Sequence, residues 1–420
     1  MHGDGIKLAT TPNSEATRLL DLTRLISRAG RVATGIDRVE LAYLNHLVCG
    51  ANPSFGLART SLGYVLMDAK GLRALLDRFE GRVAWGQADV LSLAARKKSD
   101  EIRRAESDLR KLCIARCLPS RLGRMLRAHL PREVVYLNVG HSNLTDRTLW
   151  ALRHDVSANV TVMVHDTIPL DFPEYQRPGT PEVFRAKLKR IQRFADRVIY
   201  NSADTRMRAE RYLASWGEVP EGIVAPLGIK LATPNAAVLP ASVDAKSPYF
   251  VTVGTIEPRK NHALLLDVWE QLSKTLPQEQ VPQLFICGAR GWNNKEVFAR
   301  LDTLPTDGPI TELTGLPDEA INALVRDAAA LIFPSEAEGY GLPPIEAVAL
   351  GTPVICLDLP VYRETLGDIP VYLKAPDRYL LTNLVQSLSK GPKVEQISEP
   401  SGGFIPPTWD DHFRLAFMPR

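Results

Sequence analysis

Two separate series of alternating strand-like and helix-like segments run along the chain. The first extends from Leu19 to Ile229 and contains short apolar runs such as VVYLNV, NVTVMVHD and RVIYNS between stretches of helical period. The second begins at Tyr249 with YFVTVGT and continues through QLFICG, ALIFPS and PVICLD. Strands that alternate with helices form parallel sheets, and runs apolar on both faces suit strands covered on both sides. The sequence therefore predicts an α/β protein with two sheets.

The stretch between the two series, KLATPNAAVLPASVDAKSP, has the composition of a linker, with three prolines and no amphipathic period. A chain of 420 residues is also too long for one ordinary hydrophobic core. We therefore expect a Rossmann-like domain over residues 1–229, a linker over 230–247 and a second Rossmann-like domain over 248–400. Residues 401–420 are expected to form a tail that ends in a short helix.

The segment 96–132 differs from the rest of the chain in charge. It holds 12 Lys or Arg against 4 Asp or Glu, within a chain whose net charge is +3. Apolar residues are spaced among these cations: Leu109, Leu112, Leu118, Leu122, Met125 and Leu126. An amphipathic basic helix can lie on an anionic membrane surface, and a solvated helix pair covering the sheet is the alternative. Nucleic acid is not expected as a partner, because the segment lacks aromatic residues that could stack on bases.

The chain has no apolar run of about 18 residues and no signal-like start, so we expect a cytoplasmic protein that does not span a membrane. Its five cysteines form an odd, scattered set, and only Cys113 and Cys117 are close, at a helical spacing. Reduced and mostly buried thiols are expected, since unpaired cysteine often behaves as a small core hydrophobe.

The segment FPSEAEGYGLPPIEAVAL joins a strand to a helix through a glycine-bearing loop. We expect the strand to end at Pro334 and the helix to begin at Pro343, because proline in a first helical turn lacks only an N–H that would be free anyway. The free backbone N–H groups of the loop then point into the crevice at the carboxyl ends of the strands. They belong to Gly339, Tyr340, Gly341 and Leu342. Such a loop suits a diphosphate or a sugar hydroxyl.

Two carboxylates, Glu338 and Glu346, bracket this loop with seven residues between them. Carboxylates accept hydrogen bonds in pairs, which matches the vicinal hydroxyls of a sugar or a ribose. Glu346 is expected in the first turn of the helix. The alternative interpretation is that Glu346 only complements the helix dipole and that Glu338 is solvated.

A pair of cations, Arg259 and Lys260, stands in the turn after the first strand of the second series, in VGTIEPRKNH. Arginine can grip a diphosphate through a bidentate fork and lysine can meet it as a point charge. Adjacent basic residues are often only a solvated loop. Their meaning here comes from the glutamate loop, which is expected to open on the same face of the sheet.

These residues resemble the motifs of the large retaining glycosyltransferase family with the two-domain GT-B arrangement, of the family 4 type, which includes bacterial mannosyltransferases of polysaccharide assembly. The likeness is carried by EGYGLPPIE and by the PRKN turn, and it extends from about Tyr249 to Thr365. The resemblance implies two Rossmann-like domains facing a central cleft. It also implies that the tail helix returns toward the N-terminal domain.

The resemblance assigns roles to the C-terminal motifs. Arg259 and Lys260 would bind the diphosphate of the donor and compensate the charge that builds on the leaving group. Glu346 would hold the ribose hydroxyls, and Glu338 would contact the transferred sugar. The amides from Gly339 to Leu342 and Gly254 in the preceding turn complete the expected donor site.

The N-terminal half supplies two further candidates. VMVHDTIPLDFPE places His165 and Asp166 at the end of a strand, and it resembles the His-Asp segment beside the transferred sugar in related transferases. A Thr-Gly turn opens the helix of ATGIDRVELAYLNHL, where many relatives carry two glycines. The acceptor-side residues expected here are Gly35, with Thr34 before it, Asp37, Arg38 and Asp166, although Asp37 and Arg38 could simply cap and solvate the helix.

The function that the resemblance implies is transfer of a hexose, with GDP-mannose as the first expected donor, to a glycan or lipid-linked saccharide with retention of configuration. The nucleotide sugar is a co-substrate and no cofactor is expected. No Asp-x-Asp signature is present, so we expect no obligatory metal ion. A nucleotide-sugar epimerase of similar fold and an inactive sugar-nucleotide-binding scaffold are the alternatives, whereas a dehydrogenase is disfavoured because no G-x-G-x-x-G follows an early strand.

Overall fold

A computed structural model describes residues 16–93, 97–240, 243, 248–390 and 403–419. The predicted linker and the end of the predicted second domain thus lie partly outside the described residues, as does Arg96.

The strands are β1 Arg18–Asp21, β2 Ser54–Thr60, β3 Gly63–Met67, β4 Ala115–Cys117, β5 Val135–Asn138, β6 Asn159–Val164, β7 Arg197–Tyr200, β8 Glu221–Val224, β9 Tyr249–Val253, β10 Gln283–Cys287, β11 Ile310–Leu313, β12 Ala330–Phe333, β13 Val354–Leu357 and β14 Val371–Leu373. The helices are α1 Thr23–Ser27, α2 Gly35–Cys49, α3 Ala69–Phe79, α4 Val90–Leu93, α5 Asp100–Leu112, α6 Leu122–His129, α7 Asp146–Asp155, α8 Ile168–Asp171, α9 Thr180–Phe194, α10 Ala203–Ala214, α11 His262–Thr275, α12 Lys295–Asp302, α13 Asp318–Asp327, α14 Leu342–Ala349, α15 Pro360–Leu366, α16 Arg378–Lys390 and α17 Trp409–Ala416.

The N-terminal sheet has the strand order β4-β3-β2-β1-β5-β6-β7-β8. Neighbouring strands pair in parallel along the series β2, β1, β5, β6, β7 and β8. At the other end of the sheet, β3 pairs antiparallel with both β2 and β4. The expected all-parallel arrangement is therefore wrong at this edge. The reason is local, because β2 and β3 are joined by a short hairpin in which Thr60 pairs with Gly63.

The C-terminal sheet is parallel throughout, with the order β11-β10-β9-β12-β13-β14. Its central strands, β9 and β12, are almost wholly buried, as strands flanked by helices on both sides must be. The outer face of each sheet has its own core cluster, and a third cluster joins the remaining faces of both sheets. The predicted pair of α/β sheets is thus present.

The basic segment does not form free amphipathic helices. Between α5 and α6 it contributes the edge strand β4. Most of the predicted apolar residues pack in the protein interior, since Leu109, Leu122, Met125 and Leu126 are buried. Leu118 alone of the six predicted apolar residues is strongly exposed, at 62%. No helix in the described ranges is long and apolar enough to cross a membrane.

The cysteine predictions need two corrections. Cys113 follows the end of α5 and Cys117 lies in β4, so the helical spacing between them is wrong. Only Cys287 and Cys356 are buried, because they lie on the fully covered strands β10 and β13, whereas Cys49 at the end of α2 is exposed. The thiols are thus not mostly buried, although all five are free.

The last helix, α17, packs against the N-terminal domain. The Tyr43 hydroxyl lies 2.8 Å from Nε2 of His412, and both side chains are fully buried. Nδ1 of His412 lies 3.1 Å from the carbonyl oxygen of Ala225 and 3.0 Å from that of Pro226. Because carbonyls only accept, Nδ1 carries the proton and Nε2 accepts from Tyr43. Both ends of the described chain therefore contribute to one domain.

Candidate active site

The charged residues of the candidate site come from two neighbouring strands. In the C-terminal sheet β9 and β12 pair in parallel, so the turns that follow them emerge at the same edge. The first turn is the 3-10 turn Pro258–Lys260, and the second is the glycine-bearing loop that precedes α14. This adjacency brings Arg259, Lys260 and Glu338 together although they are distant in sequence.

Arg259 and Lys260 converge on a single carboxylate oxygen. Nη1 of Arg259 and Nζ of Lys260 each lie 2.6 Å from Oε1 of Glu338. Burial acts to raise the pKa of Glu338, but the two cations outweigh burial and lower it. The Arg259 fork also reaches Oε1 of Glu257 at 2.7 Å. The cluster is therefore ionised, buried and held by alternating charges.

Gly254 lies beneath this cluster. A Cβ at this position would come within 3.4 Å of Cε of Lys260, and the backbone has φ of 141°. A Cβ would find ordinary contact distances here, so it is the positive φ that explains why glycine suits the turn.

The loop before α14 contacts the N-terminal domain along its length. A Cβ added to Gly339 would lie 2.1 Å from the carbonyl oxygen of His165, so the backbones of the two domains are in close contact there. The hydroxyls of Ser202 and Thr205 each donate to the Gly339 carbonyl at 3.1 Å. The buried Tyr340 donates to the Leu227 carbonyl at 2.9 Å. The loop is thus part of the interdomain contact.

The helix α14 begins one residue earlier than expected, at Leu342. Gly341 precedes it with φ of 84°, a left-handed conformation that glycine adopts without strain. Glu346 is consequently the fifth residue of the helix and lies in its second turn, so the predicted first-turn position is wrong.

Glu346 is paired across the cleft with Arg38 of α2. Nη1 of Arg38 lies 3.0 Å from Oε1 of Glu346, and Nη2 lies 2.6 Å from Oδ1 of Asp318 at the start of α13. Gly35, at the start of α2, faces Leu342 across the same gap, with 3.5 Å from a Cβ position to Cδ1. Two residues predicted on the acceptor side therefore lie against the predicted donor elements.

Asp37 does not face the cleft. It accepts from Nε of Arg24 at 2.7 Å, from Nε of Arg28 at 2.6 Å and from the backbone of Thr34 at 2.8 Å. Burial acts to raise the pKa of Asp37, yet the two arginines and Thr34 together lower it. Asp37 thus fixes the first turn of α2 to its own domain, and Thr34 takes part in the same capping box.

His165 and Asp166 lie at the end of β6, opposite the C-terminal cluster. Nε2 of His165 lies 2.6 Å from the Val139 carbonyl oxygen, and burial lowers the pKa of His165 to about 4. The ring is therefore neutral near pH 7, with Nε2 protonated. Burial raises the pKa of Asp166 to about 6, against the opposing charge of Arg259.

Three functional candidates carry no local sequence signal. Asp318 joins the Arg38 fork, Glu336 accepts from the Tyr175 hydroxyl across the cleft, and Glu257 pairs with Arg259. In two further interdomain bonds, Trp292 Nε1 donates to the Tyr175 carbonyl at 2.9 Å and the backbone N–H of Ala203 donates to Glu364 at 2.7 Å. Apart from the Glu257–Arg259 pair, which lies within one turn, these contacts depend on the approach of the two domains, which no single motif reports.

The crevice between the domains is narrow in this conformation. A cavity of about 30 Å³ is lined by Asp166, Glu336 and Glu338 among others. This volume suits water rather than a nucleotide sugar. Within the described residues, no group of three or more His, Cys, Asp or Glu could hold a metal ion.

Comparison with known proteins finds glycosyltransferases that resemble parts of this chain. Residues 240–396 match the family described as "Glycosyl transferases group 1". The serotype-specific mannosyltransferase WbdA of Escherichia coli is 32% identical over 217 residues, which is 48% of this chain but only 26% of WbdA. The O-antigen chain mannosyltransferase RfbU of Salmonella typhimurium (strain LT2) is 29% identical over 148 residues, 35% of this chain and 40% of RfbU. The chain thus spans about a quarter of the first relative's length.

Solved structures agree on the architecture. Anabaena HepE in complex with UDP and glucose has a TM-score of 0.57 at 13% identity, with 90% of both chains covered. The E. coli structure described as trehalose-6-phosphate bound with UDP-2-fluoro glucose has a TM-score of 0.56 at 13% identity, covering 96% of this chain and 94% of that one. At these identities the likeness shows the fold alone. It confirms the predicted GT-B fold.

Proposed function

We propose that this chain, whose residues 240–396 match the group 1 glycosyltransferases, transfers a hexose from a nucleotide diphosphate sugar to a glycan or lipid-linked saccharide in cell-surface polysaccharide synthesis. GDP-mannose is the proposed donor. The names of the relatives WbdA and RfbU, both mannosyltransferases, support this choice of sugar.

The observation that carries the proposal is the convergence of Arg259 and Lys260 on Glu338 at the interdomain crevice. Two cations that share one carboxylate keep coordination capacity for a second anion. Nη1 of Arg259 binds Glu338 and the Ala337 carbonyl, and Nε binds Glu257, so a diphosphate would meet Nη2 of Arg259 and the remaining donors of Lys260. Glu338 and the glycine-bearing loop would then face the sugar.

The proposed reaction retains the configuration at the anomeric carbon. In such a transfer the incoming hydroxyl and the leaving diphosphate occupy the same face, and the leaving oxygen can take the proton of the acceptor. No strong side-chain base is then required. The low pKa of His165, about 4, supports a role in holding the sugar as a neutral hydrogen-bonding group.

The charge on the departing diphosphate is proposed to be compensated by Arg259 and Lys260 without an obligatory metal ion. Fixed cations aimed at developing charge act strongly in a buried site, because little reorganisation is needed. Lys260 is 8% exposed, which meets this condition.

A ligand panel tests the proposal. Purified protein in EDTA is heated with GDP-, UDP-, dTDP- and ADP-sugars, and the release or epimerisation of the sugar is followed. We expect GDP-mannose to raise the melting temperature and to lose mannose slowly, and Lys260→Ala and Glu346→Ala to abolish both effects. Recovery of an epimerised sugar would favour the epimerase alternative. Absence of any shift or turnover with all four classes would refute the donor site.

We also propose peripheral contact with an anionic membrane on the cytoplasmic side. At the β4 edge, Ile114 is 41% and Leu118 is 62% exposed, next to the exposed cations Arg116 and Arg121. Apolar and basic side chains on one surface suit an anionic bilayer. Cosedimentation with vesicles containing phosphatidylglycerol, compared with neutral vesicles, tests this, and equal recovery with both would contradict it.

A further inference from the structure

We propose that Arg38 is a positioning residue of the donor site, supplied by the opposite domain, which orients the Glu346 carboxylate toward the ribose hydroxyls when the cleft is closed. This inference rests on the proposed function, because it assigns Glu346 to the ribose. The role of Arg38 adds a condition to that function: the donor site is complete only when the two domains meet.

The geometry of Arg38 is that of a fork across two carboxylates of the other domain. Its two terminal nitrogens lie 3.0 Å from Oε1 of Glu346 and 2.6 Å from Oδ1 of Asp318. The Glu346 side chain is only 18% exposed, whereas those of Arg38 and Asp318 are 36% and 54% exposed. The interaction with Glu346 is therefore the sheltered one. Within the described ranges only Oε1 of Glu346 accepts a side-chain hydrogen bond, so Oε2 can accept one from a ligand.

The backbone that carries Arg38 is held in place by neighbouring residues. The residue before it, Asp37, is held by Arg24, Arg28 and Thr34, so the first turn of α2 is fixed to α1 and its C-terminal end. Gly35 lies against Leu342 at ordinary contact distance. The initial turns of α2 and α14 therefore face each other, and Arg38 reaches Glu346 only when the domains are in contact.

Arg38 also affects the charge of Glu346. Burial raises its pKa, Arg38 lowers it, and Asp318 raises it. Among the described residues, the charged groups that face it are Arg38 from α2 and Asp318 from α13. A ribose is held best by an ionised carboxylate, which accepts from both hydroxyls. Removal of Arg38 would leave a buried carboxylate beside a like charge.

The test compares Arg38→Met with Arg300→Met. Arg300 is a matched control, because its side chain is also 36% exposed and also bridges two carboxylates, Asp267 and Glu270, within one domain. Calorimetric titration with GDP and with UDP gives Kd, and turnover of GDP-mannose gives KM. We expect Arg38→Met to weaken GDP binding by about tenfold at pH 7.5 and Arg300→Met to change it by less than about twofold. Arg38→Lys, which retains the charge without the fork, should fall between.

A second variant separates positioning from a general structural effect. Adding Asp318→Asn to Arg38→Met removes the like charge but does not restore the fork that orients Glu346, so we expect affinity to recover only in part, to about threefold below wild type. In Arg38→Met alone, the loss of affinity relative to wild type should grow as the pH is lowered, because burial and Asp318 then raise the pKa of Glu346 without the opposing charge of Arg38. Equal GDP binding by wild type and Arg38→Met, or no rescue by Asp318→Asn, would overturn the inference alone. If wild type binds neither GDP nor UDP, the proposed function itself fails.

Discussion

Asp166 is a carboxylic acid at an interdomain surface, and it forms no salt bridge with any residue that the structure describes. Burial raises its pKa to about 6, and Arg259 only partly offsets this. Oδ1 accepts from the backbone N–H of Ile168 at 3.1 Å, a bond that an amide oxygen could also accept. The site thus retains an ionisable group at a cost in stability, as expected for a group with a functional role.

This cost leads to a prediction for Asp166→Asn. The unfolded side chain loses its proton near pH 4 and the folded one near pH 6, so ionisation destabilises the folded state as the pH rises through this window. We expect the variant to be more stable than wild type, by roughly 1 kcal/mol more at pH 7.5 than at pH 5. Urea unfolding at both pH values measures the difference.

The control for this change is Asp307→Asn, an exposed carboxyl on the C-terminal domain. It should show no such gain. A gain for Asp166→Asn that is equal at the two pH values would contradict the ionisation argument.

Among the elements, the central parallel strands were predictable and the edges were not. Runs such as YFVTV and QLFIC are apolar on both faces, so their sequence alone indicates a covered strand. The strands β4 and β14 have three residues each and are half exposed, so they lack this pattern. Their pairing depends on neighbours that are distant in sequence.

The same contrast holds within the candidate site. Arg259, Lys260 and Glu338 follow strand ends, and their convergence follows from a parallel sheet in which those strands are adjacent. Asp318 and Tyr175 join only through interdomain packing. The motif residues are therefore accessible to sequence reasoning, whereas their cross-domain partners require the relative placement of two sheets.

At the level of one helix, we predict that α17 is released by acid. Burial lowers the pKa of His412 to about 4, so between pH 6.5 and 4 the unfolded histidine binds a proton that the folded one does not. Stability therefore falls as the pH falls through this window. We expect protease cleavage near α17 to increase at pH 5 relative to pH 7.5, and His412→Gln to weaken this pH dependence.

The matched variant for this experiment is His129→Gln, at an exposed position of α6. It should leave the cleavage pattern unchanged. If His412→Gln retains the full pH dependence, the release must be assigned to another group.

On the scale of the whole molecule, Gly339 controls how closely the domains approach. A methyl group there would overlap the His165 carbonyl at 2.1 Å and approach Cβ of Asp166 at 2.8 Å. We predict that Gly339→Ala folds but holds the cleft open, because the obstruction is backbone on both sides. Turnover should fall by at least about tenfold while GDP binding to the C-terminal domain changes much less.

Small-angle scattering checks this prediction through an increased radius of gyration. Gly35→Ala is the control, since its added methyl would meet Leu342 at 3.5 Å across the same gap, an ordinary contact. An unchanged radius and turnover in Gly339→Ala would show that the contact yields without opening the cleft.

The docking of α17 has a consequence for biosynthesis. Its side chain His412 completes a buried bond to Tyr43, which is separated from it by 369 positions in the chain. A ribosome delivers the N-terminal domain long before this partner emerges, and domains generally fold as they appear. The surface of α2 that α17 covers therefore stays exposed until α17 has been synthesised, so a chain that stalls before this point presents an apolar surface to which chaperones can bind.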